Sequence, residues 1–344
     1  MQHGTGGDQV RVEGHELSEL RDLAETTATV AAAYDAGVFR GLAEGDASAA
    51  ELADRVDLDS RAVAILLPVL VELGLLERDG DRFSLPEPAR RSLADPDADE
   101  FEGGGLPLWL HNLRLFTHLP EVLASGEPLE RPDEDEAEAR ESLARFMAGM
   151  AASPRARVER IVDACLARLP AERRAPDGRP PAVLDLGGGP GHMTRGFVDR
   201  GLRGTLFDRP ETIEYVGDAY GLTGLGGLEL VGGDFMEDPL PDGPFDVVLI
   251  SNVVHIYAPE RNRELLRKVA GVTAPGGVVG IADFFRGASR RAVRFALVML
   301  LRTEGGNTYT EAEVGAWLAE AGFAAPETAQ VDDDRHLITA VLTD

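Results

Sequence analysis

The stretch 182–197, AVLDLGGGPGHMTRGF, runs from an apolar segment through four glycines in five residues into a helical pattern. Strand, bare turn and helix in that order open a βαβ unit, in which the backbone comes close to a ligand. The identity of that ligand is the first question. A dinucleotide turn needs G-x-G-x-x-G, but the sixth position counted from Gly187 is His192, and from Gly189 it is Thr194. A nucleotide P-loop needs a lysine at the end of its glycine run, and the only lysine of the chain is Lys268. What remains is a tight turn with Asp185 in front and glycines at 187, 189 and 191.

Downstream, apolar strands and helices alternate: RGTLFD, a helix, LELVGGD, FDVVLISN, a helix over 259–273, GGVVGIADFF, helices over 290–302 and 310–322, and a late pair near 325–331 and 336–342. This pattern predicts an α/β fold with a mainly parallel, doubly wound sheet. Ligands in such sheets bind beyond the carboxyl ends of the strands. Asp208 ends the second strand, where a carboxylate accepts ribose hydroxyls. Asp234 follows the third, where an adenine edge is read, with Phe235 beside it to stack on the ring. Three acidic residues on three strand ends, with no basic residue among them, repel a diphosphate and attract a cationic nucleoside. S-adenosylmethionine, with its sulfonium and amino group, fits that description.

Upstream, residues 16–45 carry apolar side chains at helical spacing. Ser48, with Glu51 three residues on, reads as a capping box. A turn at 57–60 and an apolar helix follow, then two short strands around Asp79-Gly80. Helix, turn, helix and wing make a winged helix. DNA contact is disfavoured: residues 1–100 hold 22 Asp/Glu and 9 Arg, a net charge of −13, and the helix in the recognition position, RAVAILLPVLVELG, is largely apolar. Packing or dimerisation is the expected role. The domains are accordingly set at 1–105 and 106–344, the latter divided into a helical segment over 106–170, a Pro- and Gly-bearing linker over 170–181 and the sheet region 182–344.

The net charge of −26 on 344 residues argues against nucleic-acid partners, and no uncharged apolar run is long enough to span a membrane. No basic stretch followed by an apolar one marks the N-terminal residues as a secretory signal, so a cytoplasmic location is expected. The lone Cys165 reads as a buried thiol on a helix. His111 and His118 share a helical face, but nothing completes a metal site with them, and no metal is expected. The acidic run ERPDEDEAEARE reads as a solvated loop and helix start. His336, in a late strand, reads as exposed.

VLDLGGGPG, LFDRPETIEYV, GGDFMED, LISNVVHIYAPERNRELLRKV and APGGVVGIADFF, in this order behind a winged helix, resemble the S-adenosylmethionine-dependent O-methyltransferases, a group that includes caffeic acid, acetylserotonin and bacterial polyketide-tailoring enzymes. The resemblance is strong over 182–323 and looser over 16–165. It implies a class I methyltransferase, Rossmann-like sheet behind an N-terminal all-α, winged-helix dimerisation domain, and a homodimer. It also implies His255 as general base toward a hydroxyl; capping of the turn before Pro259 is the alternative for this histidine. Two acidic residues flank that base in the family. The first falls on Asp283. The second falls at or near Thr308, which carries no charge, with Glu304 four residues earlier. Ser251 stands where the family often has lysine on the cofactor strand, and Tyr257 where it has tryptophan. Phe146 and Met150 fall on the helix that lines the acceptor, a small aromatic or polyketide-like molecule. Asn252, Asn307 and Tyr309 are further pocket candidates, with turn capping the alternative for Asn307. The runner-up readings are C- or N-methylation on the same scaffold and a winged-helix regulator responsive to S-adenosylmethionine.

Overall fold

Of the 344 residues, the computed structural model describes 11–96, 98, 100–130, 134–173 and 178–343. The chain divides into two units, Met1–Leu113 and Arg114–Asp344.

In the first unit a two-residue hairpin, β1 (Arg11–Val12) and β2 (His15–Glu16), precedes helix α1 (Leu17–Asp35) and helix α2 (Val38–Ala43). Strand β3 (Ala47–Ser48) leads into α3 (Ala49–Val56) and α4 (Ser60–Glu72). The wing is β4 (Glu77–Asp79) and β5 (Arg82–Ser84), followed by α5 (Glu87–Leu93). The capping box forms as the sequence predicts. Ser48 Oγ accepts from Glu51 N–H at 3.3 Å, and Glu51 Oε2 accepts from Ser48 N–H at 2.8 Å. The wing pairs in the order β3-β5-β4. Helix α4 buries Val63, Leu67 and Leu70 with Phe39 and Leu52. Its other face carries Ile65 and Val69, 57% and 41% exposed, with Leu73 just beyond its end. Helix α6 (Leu106–Phe116) begins at the predicted boundary of 105/106 and contains the division between the two units.

The second unit opens with α7 (Leu119–Ser125), α8 (Glu136–Ala151) and α9 (Arg155–Arg168). Helix α8 starts inside the acidic run, with Asp135 as its N-cap; residues 131–133 of that run lie outside the described residues. Residues 174–177 of the linker are likewise outside them. The linker's flanks meet the buried Asp246, which accepts Ala182 N–H at 2.9 Å and lies 3.6 and 3.4 Å from Arg173 and Arg179.

Next come β6 (Ala182–Leu186), α10 (His192–Val198), β7 (Arg203–Asp208), α11 (Pro210–Ala219), β8 (Leu228–Gly232), β9 (Phe245–Ser251), α12 (Pro259–Val272), β10 (Thr273–Asp283), α13 (Arg290–Arg302), α14 (Glu311–Glu320), β11 (Phe323–Gln330) and β12 (His336–Leu342). The seven strands lie in the order β11-β12-β10-β9-β6-β7-β8. Strands β6 to β10 pair in parallel, and β12 inserts antiparallel between β10 and β11. Chain order reverses between β6 and β9, so the crevice for a ligand lies above those two strand ends. Alternation along β6 sends Leu184 and Leu186 to the core shared with α12 and α14, and Val183 to the one shared with α9 and α10.

Cys165 is buried on α9, and burial pushes its thiol up to about 12. His336 departs from expectation. It is partly buried, and its Nδ1 lies 2.6 Å from Glu311 Oε1, because α14 packs beside the start of β12. Among the described residues no helix is long and apolar enough to cross a membrane.

Candidate active site

Asp185 follows Val183 by two residues, so its side chain enters the face covered by α10. There it accepts Thr194 Oγ1–H at 2.6 Å with no exposure to solvent. Its other oxygen, Oδ1, has no partner in the protein. Asp185 therefore works from beneath the glycine turn; a Cβ on Gly188 would lie 3.0 Å from its Cγ. Burial, reinforced by the nearby Asp208 charge, pushes the Asp185 carboxyl up to about 6. A carboxyl that binds its proton more tightly in the folded chain loses stability as pH rises from its ordinary value near 3.8 through about 6. The loss is on the order of 3 kcal/mol once the group is ionised. Asp185→Asn keeps an acceptor for Thr194 and removes the charge. Thermal unfolding should show the ligand-free variant more stable than wild type at pH 7.5, with the advantage gone below pH ~4.

The turn itself requires its glycines. Gly187 has φ +70°, and a Cβ there would sit 2.9 Å from Val253 and 3.5 Å from the Phe235 ring. Gly191 has φ +76°, and its Cβ would strike Leu222 at 2.5 Å. Gly189 donates its N–H to Asp208 Oδ2 at 2.9 Å, while Arg209 N–H donates to Oδ1 at 2.8 Å. Each oxygen keeps a lone pair for a ligand hydroxyl, and burial raises the Asp208 carboxyl above its ordinary value. Asp234 is exposed and caps its own turn, accepting Met236 N–H at 2.8 Å. Phe235 is buried and meets Tyr257 edge to face with centroids 6.0 Å apart. The glycine cradle and the two strand-end carboxylates that reach it, Asp208 and Asp234, suit a cationic nucleoside, so the residues present fit S-adenosylmethionine; Asp185, expected beside them, supports the turn from beneath because strand alternation turns it under α10.

Ser251 is half-buried at the end of β9, and Asn252 follows in the left-handed region with φ +57°. The short helical turn after them buries His255, whose Nδ1 lies 2.6 Å from Asp283 Oδ1. Asp283 also accepts the backbone N–H of Phe284 at 2.7 Å and of His255 at 3.3 Å. A carboxylate tied down in this way fixes the Nδ1–H tautomer and leaves Nε2 as the acceptor. The Phe295 and His255 rings meet in a T-shaped pair, with centroids 4.9 Å apart and planes at 88°.

The other candidates are distributed around this pair. Asn307 is exposed; its backbone N–H donates to His255 O at 2.9 Å, and its Oδ1 caps Thr308 N–H. Thr308 is fully buried with an idle hydroxyl, while Glu304 is exposed. Tyr309 donates its hydroxyl to the Tyr257 carbonyl at 2.6 Å, and its ring packs on Trp317. On α8, Phe146 is 37% exposed and Met150 half-buried one turn later, while Met147 is buried, its sulfur 3.7 Å from where a Gly189 Cβ would lie.

Sequence reasoning passed over Phe295, left Met147 between helix core and substrate wall, and gave Lys268 no role. The Lys268 ammonium donates to the carbonyls of Phe235, Met236 and Asp238 at 2.8, 3.0 and 2.7 Å, fixing the loop that holds Phe235. Its standing as the sole lysine of an arginine-rich chain was the available signal.

Two family models match the chain. An O-methyltransferase dimerisation domain covers residues 21–95, and an O-methyltransferase domain covers residues 177–324. The 3-hydroxy-5-methyl-1-naphthoate 3-O-methyltransferase of Streptomyces sahachiroi is 29% identical over 90% of both chains. The acetylserotonin O-methyltransferase of Mus musculus molossinus is 31% identical over 83% of this chain and 78% of its own. Human N-acetylserotonin methyltransferase, solved in complex with S-adenosylmethionine, shares the fold with a TM-score of 0.80 at 21% identity, over 98% of this chain and all of the other. The chain belongs to the O-methyltransferase family, with a dimerisation domain ahead of its methyltransferase domain.

Proposed function

We propose that this protein moves a methyl group from S-adenosylmethionine to a hydroxyl of a small aromatic acceptor of the hydroxynaphthoate or polyketide kind, with His255 as general base. The observation that carries the reading is the buried 2.6 Å pairing of His255 Nδ1 with Asp283. When bound, the cofactor supplies an electrophilic methyl group on a positively charged sulfur. The rest falls to the chain's own residues. Asp208, and Asp234 with Phe235, hold the nucleoside by its hydroxyls and its ring, over the turn of Gly187, Gly189 and Gly191 that Asp185 supports. Ser251 lines the strand end.

A phenol near pKa 10 is ionised to about one part in a thousand at pH 7, so the hydroxyl needs a base in place. His255 Nε2 takes that proton as the oxygen gains its methyl, and the resulting imidazolium stays paired with Asp283. Phe295, Phe146 and Met150 offer aromatic and apolar surface to a planar ring, with Asn252, Tyr257 and Asn307 as the polar groups nearby. The naphthoate specificity named for the Streptomyces sahachiroi relative supports this acceptor class. Incubation with methyl-labelled S-adenosylmethionine and a hydroxynaphthoate should yield an O-methyl ether by mass spectrometry. Label on carbon or nitrogen, or none, would contradict the reading.

The protein also acts as a homodimer through its first unit. The dimerisation-domain match and the uncovered Ile65 and Val69 on α4 support this. Charges on that face would be driven out of an apolar contact, at several kcal/mol each if unpaired. Ile65→Asp with Val69→Asp should therefore run as a folded monomer in sedimentation analysis, against a dimer for wild type.

A further inference from the structure

A second group of partly buried polar side chains stands at the ligand-facing edge of the sheet, and Arg335 and His192 within it take no part in the chemistry described above. Strand β12 runs antiparallel to β10 with His336 opposite Asp283, so the residue that enters it, Arg335, is delivered to that edge. The Arg335 guanidinium carbon lies 4.3 Å from the centroid of the Phe284 ring, its Nε reaches Asn252 Oδ1 at 3.4 Å, and the side chain is 16% exposed.

Its carboxylate neighbours are committed elsewhere. Asp332 Oδ2 pairs with Arg157 Nε, and Asp332 Oδ1 accepts the backbone N–H of Asp334 and of Arg335. The Arg335 terminal nitrogen stands 4.0 Å from Asp332, beyond hydrogen bonding. Asp283 is taken up by His255 and Phe284 N–H. Among the described residues, no hydrogen-bond acceptor meets the two terminal nitrogens of Arg335. His192, the first residue of α10, has a buried Nδ1 without a partner. Burial, with Arg157 and Arg335 nearby, holds this imidazole down at about 4 and therefore neutral.

Two guanidiniums thus share one carboxylate, and an imidazole with an idle nitrogen stands in their field. The terminal nitrogens of Arg335 remain free to meet an anion, and the planar fork of an arginine matches the two oxygens of a carboxylate. The location favours a ligand of the reaction. Asn252 follows β9 and His192 follows the glycine turn. Phe284 packs on Phe295 at 4.5 Å, which in turn packs on His255.

We infer that Arg335, with His192 and Asn252, forms a pocket for a ligand carboxylate, supplied by the amino-acid end of the cofactor or by a ring carboxylate of the acceptor. The inference rests on the methyl-transfer reading above.

Calorimetry on the full-length protein with S-adenosylhomocysteine and with 5′-deoxy-5′-methylthioadenosine, which lacks the amino-acid carboxylate, separates the two sources. Kinetics with a hydroxynaphthoate and its methyl ester complete the comparison. If the cofactor supplies the carboxylate, Arg335→Gln weakens adenosylhomocysteine about tenfold or more and leaves methylthioadenosine unchanged. If the acceptor supplies it, the variant raises KM for the acid by a similar factor and spares both the ester and adenosylhomocysteine. Arg335→Lys should recover part of either loss by restoring the charge. His192→Phe should reproduce the same selectivity, and decides the matter if Arg335→Gln does not fold. Equal losses for the charged and uncharged member of each pair, or no loss in either pair, would overturn the pocket while leaving methyl transfer intact. Failure of wild-type protein to bind either nucleoside would overturn both.

Discussion

His255→Ala is expected to lower kcat by about 10²- to 10⁴-fold, the usual worth of a positioned general base, while the affinity for S-adenosylhomocysteine stays close to wild type. The split follows from position. His255 is buried on the turn after β9 with Asp283 and Phe295, whereas the residues assigned to the nucleoside belong to the glycine turn and to the ends of β7 and β8. The deficit should narrow as pH approaches the acceptor's own pKa, about 10 for a phenol, because the substrate then ionises without help. Asp283→Asn should cost activity with nearly the same selectivity, since an amide offers His255 Nδ1 a weaker and less certain partner than a carboxylate. An unchanged kcat in both variants would leave alignment alone to account for turnover.

Asp208→Ala should raise the Kd for S-adenosylhomocysteine by about 100-fold or more, since two hydrogen bonds accepted by a charged carboxylate are each worth ~1.5–3 kcal/mol. The carboxylate does two jobs. Its free lone pairs suit ribose hydroxyls, and its occupied ones hold the N–H groups of Gly189 and Arg209. Asp208→Asn, which keeps the shape and loses the charge, should fall between the two. Because burial raises the Asp208 carboxyl, its protonation on the acid side should weaken cofactor binding at a higher pH than for an exposed aspartate. Loss of binding in Asp208→Ala with an unchanged unfolding temperature places the effect in the site rather than in the fold.

Strands β6, β7, β8 and β10 were legible because each holds an apolar run closed by glycine or aspartate, and the connecting helices carry clear apolar stripes. The wing was legible from Asp79-Gly80 between short strands, and the capping box from Ser48 and Glu51. The strand-end residues could be read for the same reason: in a doubly wound sheet, sequence position after a strand is also position at the ligand edge.

What the sequence left hidden depends on packing direction and on long-range register. Period-two alternation puts Asp185 on the α10 side, but its hydrogen bond to Thr194 needs the helix in place. Phe146, Met147 and Met150 look alike in a list of apolar residues. Only the seating of α8 over Gly189 separates the buried methionine from the two residues on the open side. His336 meets Glu311, and Arg335 meets Phe284, because β12 returns antiparallel beside β10, a pairing that no local pattern encodes.

The central claim is that carboxylates and bare glycines at the ends of β6, β7 and β8 make a site for a positively charged sulfur nucleoside and turn phosphates away. Titration calorimetry of the wild-type protein with S-adenosylmethionine, NAD and ATP in parallel tests it. Micromolar binding of S-adenosylmethionine with no uptake of NAD or ATP is the expected result; tight binding of either phosphate-bearing nucleotide, with none of the sulfonium, would contradict it.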